Sequence, residues 1–343
     1  MNSLSSQVSS QPSRMENRFH IVCEEEGKRI DILLSEKLAL TRTKIKHLID
    51  EGHVRIQGKP PKQSLRVKKG MNIEGEIPEE PQTALMPQDI PLRILFEDEY
   101  ILAIDKPKGM VVHPSFGHEE GTLVNAILAY LQNPEAELRA QGSGQHGENS
   151  SSAIRDPRSH LRPGIVHRLD KGTTGVILVA KDPGTQEMLS DLFKKRGVHK
   201  VYRAIIEGEV QKEQWTADGS IGRHPRERKK MAVLEQGGRK AETDFKVLKR
   251  LKGYTYVEAY PKTGRTHQIR VHLAHIGHPV VGDETYGRKA KHSTDRPFLH
   301  AYKISLQHPL KDTTISVEAP VPEDMEGFIE MHRKERRKLK AQG

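Results

Sequence analysis

Cysteine is nearly absent: Cys23 is the only one in 343 residues. A chain with one thiol forms no internal disulfide and has no cysteine-based zinc site, which points to a reducing compartment. Long apolar runs are missing too. No stretch approaches the roughly 20 residues that cross a bilayer as a helix. The start, Met1 to Gln7, lacks a basic segment followed by an apolar core, so no secretory signal is expected. The expectation is a soluble, unprocessed, cytoplasmic protein with no membrane contact. Acidic residues are the minority charge, 46 Asp and Glu against 56 Lys and Arg, for a net +10 at pH 7. That balance favours a polyanionic partner, nucleic acid first, over an acidic surface or a neutral metabolite. Solvated surface lysines would give the same sum, so charge alone does not decide.

This length accommodates one large domain and one small one. Residues 1–17 are Ser- and Gln-rich with little to bury and read as a disordered tail. Residues 18–80 read as a compact module. Ile30, Leu33, Leu34 and Leu38 recur at helical spacing, and Thr41 is placed to cap a second helix with Ile45, Leu48 and Ile49 inward. Arg42 and Lys46 share another face, with Lys44 and His47 nearby, a basic surface suited to phosphate. Gly52 stops that helix, and Val54 to Ile56 lead into a hairpin-like turn at Gln57-Gly58-Lys59, followed by Lys62, Arg66, Lys68 and Lys69.

Residues 81–91, with Pro81, Pro87 and Pro91, read as a linker, and 92–330 as the larger domain. Leu92–Phe96 and Tyr100–Asp105 read as paired strands, Thr122–Leu131 as a helix, and Gln132–His160 as a flexible polar loop. Asp182 and Pro183 open a helix that Gly197 is expected to end in a left-handed cap. Val201–Ile206 and Tyr254–Tyr260 read as strands, the second with one exposed face. Arg223 and Arg226 belong to a basic loop suited to nucleic acid, and residues 331–343 read as a basic, fraying tail.

The densest chemistry lies in Gly164-Ile165-Val166-His167-Arg168-Leu169-Asp170-Lys171-Gly172-Thr173-Thr174-Gly175, which runs into the apolar Val176–Ala180. Asp170 is set on a turn just before a strand apolar enough to be buried on both faces. A carboxylate there can act as nucleophile or base, or can merely shape the turn. A second constellation, Thr263 to Pro279, has Ile269, Leu273 and Ile276 at helical spacing, with Arg270 on a face shared with Thr266 and Ala274. An arginine beside a buried carboxylate supplies a permanent counter-charge. His267, His272, His275 and His278 lack the spaced pair with intervening glutamate of zinc hydrolases, so they read as locally bonded or phosphate-facing groups, with no metal expected.

Residues Arg29 to Asp31, the basic second helix and Glu51 to Gly58 resemble the S-four-type RNA-binding domain. Gly164–Lys181, His199–Gly208 and Thr263–His272 with Val281-Gly282-Asp283 resemble the three core motifs of the RluA family of pseudouridine synthases. Pro87–Leu92, Asp105-Lys106-Pro107 and Val111-Val112-His113-Pro114 agree with it, and the paired domains are similar to the RluD-type branch. The resemblance implies an α+β catalytic fold with a mixed, mainly antiparallel sheet. It also implies isomerisation of uridine to pseudouridine in large-subunit ribosomal RNA by a monomeric enzyme, without cofactor or metal. On that reading Asp170 is the essential aspartate, Tyr202 lies against the uracil ring, Arg270 pairs with Asp170, and Arg168 enters the RNA where the base is flipped out. Other ribosomal sites, a tRNA substrate, an inactive RNA-binding assembly factor and a metal-dependent RNA hydrolase are the alternatives. Gly172 stands where RluD-type sequences often carry Asp, an exchange expected to leave the chemistry untouched.

Overall fold

The computed structural model describes residues 18–38, 40, 42–78, 86–114, 120–132, 164–227, 230–287 and 294–342, except the side chains of 43 and 336–342. The tail 1–17, Thr41 and the loop from Gln132 to His160, apart from Gln132 itself, lie outside the described residues. The chain divides into two compact units, Met1–Ala84 and Leu85–Gly343.

The first unit is built from β1 (Arg18–Val22), α1 (Ile30–Lys37), α2 (Arg42–Asp50), β2 (Val54–Ile56) and β3 (Asn72–Glu76), its sheet ordered β1-β3-β2 and antiparallel throughout. The apolar spacing of the two helices does what it predicts: Ile30, Leu33, Leu34, Ile45, Leu48 and Ile49 close over Val54 and Ile73 in one core with Cys23. Gln57 and Gly58 both take positive φ, 50° and 78°, and Ile56 bridges Lys59, which makes the tight turn after β2. The segment leaving the turn makes only that single bridge; the next strand, β3, pairs back on β2 antiparallel after an excursion through residues 60–71, so the tight turn does not itself join two paired strands.

The second unit contains β4 (Arg93–Glu97), β5 (Ile101–Lys106), α3 (Leu123–Gln132), β6 (Gly164–Ile165), β7 (Thr174–Ala180), α4 (Pro183–Lys194), β8 (Val198–Glu207), β9 (Gln214–Arg223), β10 (Met231–Leu234), β11 (Arg239–Arg250), β12 (Tyr254–Pro261), α5 (Gln268–His275), β13 (Leu299–Gln307), β14 (Thr314–Glu318) and α6 (Glu323–Gln342). One 11-stranded sheet runs β10-β9-β11-β12-β8-β13-β7-β5-β4, with β14 on β13 and β6 on β7. The β13–β7 pairing is parallel and the other pairings antiparallel. This is the expected α+β architecture. All seven residues of β7 are buried, as its unbroken apolar run requires, and cores on both faces meet there: Val176 and Leu178 on one, Ile177 and Val179 on the other.

Several local expectations change. β12 buries Thr255, Val257 and Ala259 on one face, while on the other Tyr256 is buried and Tyr254, Glu258 and Tyr260 are half-buried, so its second face is partly covered rather than open. Arg196, not Gly197, takes the left-handed position after α4, at φ 62°, while Gly197 donates its N–H to the Leu192 carbonyl. Asp182 does cap that helix, accepting from the Thr185 N–H at 2.9 Å. Residues 86–91 belong to the second unit: Asn125 Nδ2 donates to the Met86 carbonyl, and Gln88 Oε1 accepts from the Gly121 N–H. The tail from 331 continues α6, where His332 stacks on Phe328 with ring centroids 4.1 Å apart and meets Tyr254 edge-on. Those aromatic contacts hold the helix as far as His332, ahead of the basic run that begins at Arg333.

Candidate active site

The turn before β7 is closed by the Thr173 N–H donating to the Asp170 carbonyl at 3.0 Å. Its next residue is clamped from β5: Gly109 N–H and Lys106 Nζ both donate to the Lys171 carbonyl, at 3.0 and 3.3 Å. Lys106 is fully buried and spends its ammonium on that carbonyl and those of Pro107 and Met110. Burial lowers its pKa to about 8, against the pull of the Asp170 charge. Gly175 then lets β7 pass β13, because a Cβ there would stand 2.2 Å from the Ala301 carbonyl oxygen, at φ 106°. Glycine is required at that point.

Arg270 reaches this turn from α5. Its NH1 donates to Asp170 Oδ2 at 2.9 Å, while Nε and NH2 hold Asp283 at 2.6 and 2.8 Å. Asp283 is fully buried and its Oδ1 also accepts the backbone N–H groups of Thr285 and Tyr286. Burial works against the guanidinium, but Asp283 and then Asp170 outweigh it and hold the Arg270 pKa above its ordinary value. Thr266 is not on the face of Arg270, because α5 starts only at Gln268. On the other side of Asp170, His267 Nε2 lies 3.7 Å from Oδ1, and His267 Nδ1 is 2.8 Å from the Tyr286 hydroxyl.

Tyr202 pairs in register with Ala259 and Ala301 and packs against the core that contains Leu169. Burial raises its hydroxyl pKa, and the Asp170 charge raises it further, so the phenol stays protonated. Arg168 is exposed beside the turn, and its charge depresses both His113 and His267 after burial has done so. The arrangement is a carboxylate with one oxygen held by a permanent cation, a protonated phenol whose titration feels that carboxylate, and an exposed arginine outside. It can attack or deprotonate a substrate and can return a proton.

A match to the family described as RNA pseudouridylate synthase covers residues 100–275, and an S4 domain matches residues 28–73. An uncharacterized RNA pseudouridine synthase of Chlorobaculum parvum is 40% identical over 88% of this chain and 93% of its own length. The chain belongs to the RNA pseudouridylate synthase family. A relative from Xanthomonas campestris, named ribosomal large subunit pseudouridine synthase D, is 37% identical over 88% of each chain. The solved structure of human RNA pseudouridylate synthase domain containing 4 shares the fold at a TM-score of 0.51 and 24% identity, over 68% of this chain and 90% of that one. The protein is therefore an RNA pseudouridine synthase with an S4 RNA-binding domain, and its substrate is RNA. No described helix is long and apolar enough to cross a membrane.

In this synthase the structure brings Asp170, Arg270 and Tyr202 together and leaves Arg168 at the mouth. The basic residues expected on RNA divide. Lys62 and Arg226 are exposed, Arg223 is exposed at the end of β9, and Lys44 and Lys46 are half-buried on α2. Arg42 is committed to the fold, its NH2 donating to the fully buried Asp31 at 2.9 Å. Sequence reasoning passed over four side chains: Asp283, His267, Tyr286 and Lys106. Two left a signal, a charge closing the apolar strand Ile101–Lys106 and an acid following the apolar pair and glycine Val280-Val281-Gly282. The four histidines diverge: His272 faces Thr243 and His278 the Glu207 carbonyl.

Proposed function

We propose that this synthase converts uridine to pseudouridine in large-subunit ribosomal RNA, with Asp170 as the reacting carboxylate. The observation that carries the reading is the Asp170–Arg270 contact at the mouth of a buried strand. It sets a permanent counter-charge against the acid and orients one oxygen, as a positioned nucleophile or base requires. The C1′–N1 bond breaks, the uracil turns, a C1′–C5 bond forms, the C5 proton leaves to water and N1 takes a proton up. All heavy atoms stay within one nucleotide, protons balance and no net oxidation occurs, so the reaction calls for no cofactor. Tyr202 supports the uracil ring and exchanges the proton, and Arg168 fills the gap left by a flipped base. Lys44, Lys46, Lys62, Arg223 and Arg226 contact phosphates. The ribosomal assignment is supported by the relative from Xanthomonas campestris, and we extend it to a monomer acting in the cytoplasm.

The test is release of tritium from [5-³H]uridine in large-subunit ribosomal RNA, with chelator present. Wild-type protein releases it, Asp170→Asn does not, and Tyr202→Phe slows release by about 10²-fold while binding RNA normally. Release undiminished in Asp170→Asn, or none from any ribosomal RNA, refutes the proposal.

A further inference from the structure

His267 occupies the position just before α5 with φ 57° and ψ 19°, a left-handed conformation that is strained for a non-glycine residue. Its side chain makes no capping hydrogen bond to offset that strain. The imidazole is used elsewhere. The backbone N–H of Met231 donates to the Tyr286 hydroxyl oxygen at 2.9 Å. Among the described residues the recorded acceptor for the hydroxyl's own proton is His267 Nδ1, 2.8 Å away. A ring nitrogen that accepts carries no hydrogen, so the neutral imidazole bears its proton on Nε2. That nitrogen faces Asp170 Oδ1 at 3.7 Å. Burial, Arg270 and Arg168 lower the His267 pKa against the opposing charges of Asp170 and Asp283, which keeps the ring neutral near pH 7.

The two oxygens of Asp170 are thereby distinguished. Oδ2 is occupied by Arg270 NH1 at 2.9 Å. Oδ1 faces that N–H beyond hydrogen-bond range, so its lone pairs remain available while the N–H dipole is directed at that oxygen. We propose that His267, locked as its Nε2–H tautomer by Tyr286, is a positioning residue that presents Asp170 Oδ1 to the uridine. The inference rests on Asp170 being the reacting carboxylate. It also ties the site to the basic loop, since Met231 is the first residue of the strand that follows Arg223–Lys230.

Nitrogen-15 NMR of the histidine-labelled wild-type protein reads the tautomer directly, with Nε2 protonated as the expected result. Tyr286→Phe removes the lock and shifts His267 toward a tautomer mixture. In kinetics, His267→Asn, which accepts the left-handed backbone but cannot place a donor at Nε2, lowers kcat by about 10- to 100-fold with KM for RNA within about twofold. His267→Gln, which restores a donor there, recovers most of the loss. An Nδ1–H tautomer in the wild type overturns the inference whatever the activities. So does His267→Asn with unchanged kcat in a preparation whose Asp170→Asn variant is inactive, or a loss in His267→Asn that His267→Gln does not repair. An active Asp170→Asn instead refutes the assignment of the reacting acid, so the two failures are separable.

Discussion

Asp283 grips Arg270 through both carboxylate oxygens, at 2.6 Å from Nε and 2.8 Å from NH2, and leaves NH1 as the nitrogen that meets Asp170. The guanidinium is planar, so the grip on one edge sets where the other edge points. Asp170 is thus placed by an acid 113 residues further along the chain, whose own orientation is set by the backbone N–H groups of Thr285 and Tyr286. Breaking a buried charge pair on one side costs about 3–5 kcal/mol, because the other charge stays buried and under-compensated. Asp283→Asn is expected to lower unfolding free energy by part of that range and turnover by about 10²-fold. Urea unfolding and single-turnover tritium release measure the two; full stability together with full turnover would show that the Asp283 grip does not place Asp170.

Gly175 and Gly172 flank the same threonine pair but face different obstacles. A Cβ on Gly175 would meet the Ala301 carbonyl at 2.2 Å with φ at 106°, so both the β13 backbone and the conformation resist it. A Cβ on Gly172 would meet Pro297 Cδ at 2.7 Å, without the positive φ. A side chain at this second position therefore demands that Pro297 shift, a packing cost separate from the expectation that the exchange leaves the chemistry untouched. Gly175→Ala is expected to destabilise by about 2–4 kcal/mol and Gly172→Ala by about 1–3 kcal/mol, the cost of local overpacking. Thermal unfolding of both variants ranks them, and the reverse order contradicts this account.

What was legible in the chain follows from what is local. Periodicity placed α1, α2 and β7, and a short motif placed Asp170, because in each case the deciding neighbours lie within a few residues. Tyr254–Tyr260 was legible only in part: alternation reports two chemically different faces, but how far the polar face is covered depends on side chains from distant strands, here Arg203 against Glu258. The partnership of Arg42 with Asp31 was hidden by an eleven-residue gap across a helix turn. His267 was read from sequence as a locally bonded histidine, and it does bond Tyr286, but its place beside Asp170 was not legible because that depends on a backbone angle and on a partner nineteen positions away.

Three histidines, His272 and His300 buried and His167 half-buried, make the catalytic domain acid-sensitive. His167 accepts the Leu178 N–H at Nε2 and stacks on Phe193; His300 lies between Thr174 Oγ1 and the Ala319 carbonyl; His272 bonds Thr243. Burial lowers their pKa values to about 3, about 4 and about 4 respectively. In the unfolded chain they titrate near the ordinary value of about 6.5, so below it the unfolded state binds more protons than the fold. The stability they permit is complete above that value and is lost as pH falls from about 6.5 toward the folded values. At pH 5 each contributes a loss of about 1–2 kcal/mol. Chemical unfolding of the catalytic domain at a series of pH values between 7.5 and 5 should show a decline of several kcal/mol, and a flat profile would contradict their neutral burial.

Arg42 and Lys62 separate folding from RNA contact in the S4 domain. Asp31 is fully buried, clamped by Arg29 at 2.9 and 3.1 Å and by Arg42 at 2.9 Å. Arg29 first, then Arg42, hold its pKa down at about 2 against burial, so at neutral pH the carboxylate is charged and needs both partners. Arg42→Ala leaves Arg29 in place and exposes Asp31 to partial compensation by water. The expected cost is about 1–2 kcal/mol, moderated because Arg42 itself is half in solvent. Lys62 is exposed, so Lys62→Ala should leave stability unchanged, weaken RNA binding and reduce the salt slope by about one unit. Measuring unfolding and salt-dependent RNA affinity side by side decides between the roles. An Arg42→Ala protein of full stability with a reduced salt slope would return Arg42 to the phosphate-contacting set and leave Asp31 satisfied by Arg29 alone.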